Sequence, residues 1–399
     1  MCCWCVLSSA RFYRPLRDLR GQPTGETWRE NRKVVDGLEK LSIVIPTYGR
    51  HDFVRRQISY WSDSPVTVHI MDGSPTPLIQ TGMESIPSNV KYHHSTDDFF
   101  GRMRRATELV DTPYVAMLGD DDLFTKSGLK KCLEHLEGNS EVFGVVGRSM
   151  YFFHQRSVVF GEPKHPEAAN YDKEIQGGIA RLLNLYHQGK IGAVAYGVFR
   201  ADQWKPTIRA TYAKKYSSGY VYDTFLRTLL TYTGEIEVVE AVTWLCSGEN
   251  PPIKNQSSFN RSVDLIEWLD DPKYKAEVMD FKRRLVSEAL VIKSEEKAVM
   301  VGAIDYVVGT LEERYRFKAN RRVSFREKLP RMIKALAPAA VKQAAKSILP
   351  RSITKKLDWQ GIRFLDCVDL MEQRGVYVDR KEMSTITEMI RAFHQQPVT

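Results

Sequence analysis

The sequence predicts an α/β fold, a mostly parallel sheet with helices on both faces of the Rossmann-like kind, followed by a C-terminal helical region. Three observations carry this. Short β-branched runs alternate with segments of helical period from residue 41 onwards. Strands that alternate with helices in this way imply a sheet covered on both faces. Polar clusters rich in Asp, Gly, Ser and Thr follow the carboxyl ends of several of them, where ligands of such sheets sit.

The elements follow in order. SIVIP (42–46) is a short β-branched strand, and RHDFVRRQISYWS behind it places Val54, Ile58 and Trp61 at i, i+4 and i+7 of a helix. VTVHIM (66–71) is a second strand, closed by the turn residues DGSPTP. VKYHH (90–94) is a third, and DFFGRMRRATELV puts Phe99, Met103, Ala106 and Val110 on one helix face. PYVAML (113–118) is a fourth strand, KSGLKKCLEHLEG (126–138) an amphipathic helix and VFGVVGRSMYFF (142–153) a long fifth strand. Residues 257–313 and 357–399 read as helical, with Leu265, Ile266 and Leu269, then Leu365, Val368 and Met371, on their apolar faces. The expected organisation is an N-terminal extension (1–40), an α/β domain (41–255) and a helical region (256–399).

Composition narrows the class. With 399 residues, 43% apolar and 11% aromatic, the chain can bury a large core. No run approaches the roughly 18 to 20 apolar residues of a spanning helix. The N-terminus MCCWCVLSSARFYRP lacks a positive region ahead of its apolar stretch, so a cytoplasmic location is expected. Cys2, Cys3 and Cys5 crowd together while Cys132, Cys246 and Cys367 are scattered, which gives neither a disulfide framework nor a zinc spacing.

The net charge of +9 is local. Residues 314–356 hold 14 Lys and Arg against one acid, Glu327, which leaves −4 for the rest of the chain. Their mixture of basic and apolar residues, punctuated by Pro330, Pro338 and Pro350, suits the anionic inner face of a bacterial membrane. No recognition-helix, RRM or zinc-finger pattern accompanies the charge, so nucleic acid is not the expected partner.

The chemistry is concentrated in VAMLGDDDLF. Asp120, Asp121 and Asp122 directly follow the fourth strand, as Pro46-Thr47-Tyr48 follows the first and Asp72-Gly73-Ser74 the second. These strand ends converge on one crevice. Adjacent carboxylates there raise one another's pKa unless a cation neutralises them, and a hard divalent ion with open positions can bridge to phosphate. The patterns of an EF-hand, a dinucleotide-binding Gly loop and a P-loop are all missing. A metal-bound diphosphate is the expected ligand.

SIVIPTYGR, IMDGS and TPYVAMLGDDDLF at these intervals resemble the nucleotide-binding half of the GT-A glycosyltransferases, in particular the inverting family-2 type of bacterial surface-polysaccharide synthesis, over roughly residues 41–250. The resemblance implies that Pro46, Thr47 and Tyr48, with Arg50, line the nucleotide pocket and that Asp72 bonds the base. It implies that the acidic run is the DxD motif, holding Mg²⁺ or Mn²⁺ and the ribose of a nucleotide-sugar donor. Many relatives read L-D-x-D-D, and Gly119 stands where the first Asp would be, so Asp120 and Asp122 are the expected metal pair, with Asp121 close to the donor. Arg102, Arg104 and Arg105 are read on the helix before the fourth strand. Arg102 is the candidate for the pyrophosphate; a solvated basic face is the plainer reading.

Inverting transfer needs a carboxylate to take the acceptor hydroxyl's proton. In the family that base lies some 80 to 110 residues after DxD at a helix start, which points to Asp223 in SSGYVYDTFLRTLLTYTG, with Glu249 in CSGENPP second. The expected activity is transfer of a sugar to a glycan or lipid-linked acceptor, by an enzyme peripheral to the inner membrane face. A nucleotide-sugar-binding protein without turnover and a metal-dependent glycosylphosphotransferase are the alternatives.

Overall fold

The computed structural model describes residues 37–81, 85–155, 157–164, 177–188, 193–249, 262–322 and 362–395, the side chains of 318–322 excepted. The first 36 residues, with the three clustered cysteines, and the basic segment from 323 onwards lie outside them.

The strands are β1 (Leu41–Thr47), β2 (Thr67–Asp72), β3 (Val90–His94), β4 (Tyr114–Met117), β5 (Leu123–Phe124), β6 (Val142–Gln155), β7 (Val158–Lys164), β8 (Val198–Arg200), β9 (Glu235–Ser247) and β10 (Ile362–Arg363). The helices are α1 (His51–Trp61), α2 (Phe99–Leu109), α3 (Lys126–Gly138), α4 (Gly178–Gln188), α5 (Ala201–Thr211) and α6 (Tyr220–Thr233). Five follow: α7 (Leu265–Asp270), α8 (Lys275–Ile292), α9 (Lys297–Arg322), α10 (Phe364–Gln373) and α11 (Arg380–Gln395).

The main path of the sheet runs β10-β7-β6-β8-β4-β1-β2-β3, with β9 beside β6 and β5 beside β9. The quarter read most directly from sequence is parallel: β1 pairs with β2 and β4, and β2 with β3. Beyond β4 the direction changes. β8 runs antiparallel to both β4 and β6, and β7 antiparallel to β6, while β9 returns parallel to β6. Arg200 fixes β8 in this slot by donating to the carbonyls of Val142 (2.9 Å), Leu136 (2.8 Å) and Asn139 (2.9 Å), and the Ala201 amide closes onto the Pro113 carbonyl at 2.9 Å.

Strand alternation divides the core into two layers. Ile43, Ile45, Val68, Ile70 and Ala116 face α1 and α3, whereas Val44, Met71 and Val115 face α2 and α4–α6. The predicted positions Val54, Ile58 and Trp61 are buried on the first side, and Met103, Ala106 and Val110 on the second. Asp98 starts α2 by accepting from the Gly101 amide (2.9 Å), and Thr125 starts α3 by accepting from that of Gly128 (3.1 Å).

The C-terminal helices do not stand apart from the sheet. Trp268, Phe281, Leu285, Ile304 and Val307 of α7–α9 join the α6 side of the core. Phe364, Cys367, Val368 and Met371 of α10, with Met383, Ile386 and Ile390 of α11, join the α1 and α3 side. Tyr377 links this hairpin to β9, donating to the Glu240 carbonyl (2.7 Å) and accepting from the Val242 amide (3.0 Å). Both core clusters thus include residues from before and after residue 255. None of the described helices is long and apolar enough to cross a membrane.

Glu382 of α11 caps α3. Its carboxylate accepts from the amides of Lys126 (2.5 Å) and Ser127 (3.1 Å) and from the Tyr60 hydroxyl (2.9 Å). Glu382→Ala leaves buried donors without an acceptor, so we expect a loss of about 2 kcal/mol, read as a lower urea midpoint at unchanged slope. An unchanged midpoint would show that α11 is dispensable for α3.

Candidate functional site

The site grows from three parallel strand ends. β1 delivers Thr47, β2 delivers Asp72, and four residues after Leu118 the chain has turned through Asp120–Asp122 into β5. The Gly73 amide bonds the Thr47 carbonyl (3.1 Å), which ties the first two ends together. Gly49, in the left-handed region at φ 65°, lets the next residues bend back, and its amide donates to the Ser74 hydroxyl (2.7 Å).

Asp120–Asp122 form a tight turn in which the Asp122 amide bonds the Gly119 carbonyl (3.2 Å). All three acids are buried, and each is held differently. Asp120 accepts from the Thr47 hydroxyl (2.7 Å) and from Arg50 (2.7 Å). Burial and the neighbouring Asp121 raise its pKa to about 6 against the opposing pull of Arg50 and Thr47. Asp121 meets Arg50 at 3.3 Å, and its Oδ2 is buried without a hydrogen bond, as is the facing Arg50 Nη2. Asp122 points inward: Oδ2 accepts from the Trp244 indole (3.0 Å) and Oδ1 from the Ser247 amide (2.8 Å).

The three acids are thus held in different ways. Asp122 is spent on β9, whereas Asp120 and Asp121 share one guanidinium and keep a net negative charge together with an unsatisfied carboxylate oxygen. Those features fit an oxygen-liganded divalent cation. Among the described residues no three His, Cys, Asp or Glu side chains group into a metal cage.

The backbone of the turn is held from α1. Gln57 donates to the carbonyls of Asp120 (3.0 Å) and Asp122 (2.6 Å), and is itself fixed by the Trp61 indole (3.1 Å). Arg56 donates to the Asp121 carbonyl (2.6 Å) and pairs with Glu249 (2.7 Å). Sequence reading assigned α1 by its apolar positions and passed over these polar ones. Two adjacent polar residues, Arg56 and Gln57, between the buried Val54 and Ile58 were the signal available.

Other expected residues take unexpected places. Arg102 is not on a solvated face. It is buried, bonds the carbonyls of Thr47 (2.7 Å) and Met71, and lies so close under Gly73 that a Cβ there would meet its Cζ at 2.4 Å. Burial lowers its pKa although Asp72 and Asp98 oppose this. Asp72 is fully enclosed, accepting from the Ser74 amide (2.8 Å), the Ser74 hydroxyl (2.5 Å) and the Tyr92 hydroxyl (2.6 Å), so it braces the 72–74 loop. Pro46 and Tyr48 are half-buried at the end of β1.

The two candidate bases differ sharply. The Glu249 side chain is 1% exposed and both its oxygens are occupied, by Arg56 and by His394 (2.7 Å). Burial raises its pKa, but those two partners outweigh it and hold the carboxyl below the usual range, which makes it a poor proton acceptor. Asp223, in the first turn of α6, is 49% exposed with Arg227 at 3.4 Å. It lies outside the hydrogen-bond network of the acidic turn. The connection runs through Arg227, which is in electrostatic range of Tyr196, and Tyr196 stacks at 3.8 Å on the Trp244 that holds Asp122.

A parallel αβ quarter with an acidic turn at its strand ends, extended by antiparallel strands and helices, is the GT-A type of fold. Residues 42–202 match the family model described as Glycosyl transferase family 2, and over that segment the chain resembles this glycosyltransferase family. No curated protein sequence matches the chain. Among solved structures, S. aureus TarS 1-349 in complex with UDP-GlcNAc is 12% identical, with 89% of this chain and 91% of that one covered and a TM-score of 0.42. S. aureus TarS 1-349 in complex with UDP is 12% identical, with 70% and 91% covered and a TM-score of 0.38.

The split among the acids is open to measurement. Asp122→Ala strands the Trp244 and Ser247 donors in the core, and we expect a loss of about 3 kcal/mol by urea denaturation. Asp121→Asn removes one of two adjacent carboxylates beside a single guanidinium and should leave stability within about 1 kcal/mol of the parent. Equal losses would contradict the division of labour.

Proposed function

We propose that this chain is a metal-dependent, inverting glycosyltransferase that moves a sugar from a nucleotide-sugar donor to a hydroxyl of a glycan or lipid-linked acceptor. The observation that carries the reading is the buried acidic turn, whose Asp121 Oδ2 faces Arg50 at 3.3 Å without a hydrogen bond, at the carboxyl ends of β1, β2 and β4.

In this reading Asp121, with Asp120 beside it, holds Mg²⁺ or Mn²⁺, and Asp122 fixes the turn from below. The bound cation supplies charge neutralisation at the diphosphate leaving group. Thr47, Tyr48 and Arg50 form the wall next to the diphosphate and nucleoside. Arg50, which bonds Asp120 and lies beside Asp121, carries the guanidinium that would face a phosphate oxygen if a cation were held by those carboxylates. Asp72 and Arg102 act through the loops they brace. Asp223, half-exposed and only loosely paired, takes the acceptor proton; Glu249 is set aside because its carboxylate is already committed.

The basic segment 314–356 would place the enzyme against an anionic surface. Flotation of the full chain with anionic vesicles at about 0.15 M salt is the expected outcome, and sedimentation free of such vesicles argues against it.

Melting temperature in the presence of UDP, GDP, CMP or dTDP, each with Mn²⁺, Mg²⁺ or chelator, tests the donor site. One nucleotide at about 100 times its dissociation constant should add roughly 2.7 kcal/mol, a rise of several degrees, with metal only, and Asp121→Asn should abolish it. No shift under any condition would remove the transferase reading. Asp223→Asn should keep the shift and lose transfer by about 100-fold or more; transfer at the parent rate would take Asp223 out of the mechanism.

A further inference from the structure

The last described helix ends beside α1 and Glu249. At its C-terminal end, Phe393 packs on Phe53 with ring centroids 5.0 Å apart and lies 4.6 Å beneath the Arg56 guanidinium. His394, next to it, stacks on His154 at 4.3 Å with the rings 3° from parallel. From His394 a continuous line of short polar contacts leads inward. Its Nε2 lies 2.7 Å from Glu249 Oε1, Glu249 Oε2 accepts from Arg56 Nη1 at 2.7 Å, and Arg56 Nη2 donates to the Asp121 carbonyl at 2.6 Å. Arg56 and Glu249 side chains are each 1% exposed, so water does not compete for the bond between them, while His394, 27% exposed, is the solvent-facing end of the line.

Each link has one plausible polarity. An ionised carboxylate only accepts, so His394 must donate through Nε2, and a guanidinium only donates. Arg56 is thus divided between two acceptors, Glu249 and the backbone of the turn. The division depends on Glu249 using its second oxygen elsewhere. Without the His394 donor, that oxygen loses its partner, and Arg56, already bonded to the other oxygen and with an Nε that has no hydrogen-bond partner, can close a two-point grip on the carboxylate. Arg56 would rotate towards Glu249 and away from Asp121. A second brace crosses at the same place: the Glu249 amide donates to the Ser247 hydroxyl (3.1 Å), and the Ser247 amide donates to Asp122 (2.8 Å).

We propose that His394 is a positioning residue for the acidic turn: by holding Glu249 it divides Arg56 between Glu249 and the Asp121 carbonyl, and so sets where the Asp120–Asp122 carboxylates sit. Its consequence for ligand binding rests on the proposed donor site; its structural claim does not. The geometry also gives α11 a task besides covering the sheet, since Glu382 at its start already serves the packing of α3.

Two substitutions in the full-length chain separate positioning from bulk stability. His394→Ala removes the donor, and His394→Gln restores an N–H at nearly the same reach. The readout is hydrogen–deuterium exchange without ligand, followed at the bonded amides of Asp122 and Ser247. We expect His394→Ala to speed exchange at 119–123 and 247–249 by about tenfold, the order of effect of losing one charged hydrogen bond, with α8 and α9 unchanged and His394→Gln close to the parent. Exchange at 119–123 that stays at the parent rate in His394→Ala overturns the proposal. So does acceleration spread evenly over α8 and α9, or a Gln variant as fast as Ala. Titration with UDP and with GDP, each with Mn²⁺, then reads the consequence: about tenfold weaker binding in His394→Ala, recovered in His394→Gln. If the parent chain binds neither nucleotide, the donor-site reading falls while the exchange result still decides the role of His394.

Discussion

Burial of the Asp120–Asp122 turn is the constraint around which this domain is arranged. Three consecutive carboxylates removed from water destabilise a fold unless each finds compensation. Here the compensation is distributed. Asp122 is absorbed by β9 through Trp244 and Ser247, Asp120 by Thr47 and Arg50, and Asp121 is left partly uncompensated beside Arg50.

The supports come from elements that a parallel sheet brings together for other reasons. α1 covers one layer of the core with Val54, Ile58 and Trp61, and the same helix turns Arg56 and Gln57 onto the carbonyls of the acidic turn. α2 does the equivalent for the other strand ends. Its buried Met103 and Ala106 seat it on the opposite layer, which sets Arg102 under Gly73 and against the carbonyls of Thr47 and Met71. Each helix therefore joins an apolar face, which fixes its position, to one or two buried polar side chains that shape the crevice.

The sequence made part of this legible. β1–β4 and the helices between them follow from periodicity, because strands and helices covered on defined faces must repeat their apolar residues at fixed spacing. The acidic turn was visible because charge clustered at a strand end has few other uses. β8 was not visible: Val198–Arg200 is three residues long, and its direction is set by Arg200 reaching carbonyls more than 50 positions away. The roles of Asp122, Arg102 and Glu249 were hidden for the same reason. Which way a carboxylate or guanidinium faces depends on partners such as Trp244, Gly73 and His394 that are remote in sequence. Residue type and local spacing reveal where charge gathers, not which of several like charges is satisfied.

The return of α10 and α11 to the α1 and α3 layer bears on how the domain is made. The Glu382 contact with Lys126 spans 256 residues, and the contact of His394 with Glu249 spans 145. A nascent chain that has completed β1–β6 still exposes the apolar face that Phe364, Met371, Ile386 and Ile390 later cover. Loop closure of this length is slow compared with forming the βα units themselves. During synthesis the exposed layer would be available to chaperones and to other unfinished chains, and crevice geometry would be settled only when the final helix docks. The acids lie at one of the earliest strand ends to emerge, so the first part of the chain waits for contacts that only its later helices can supply.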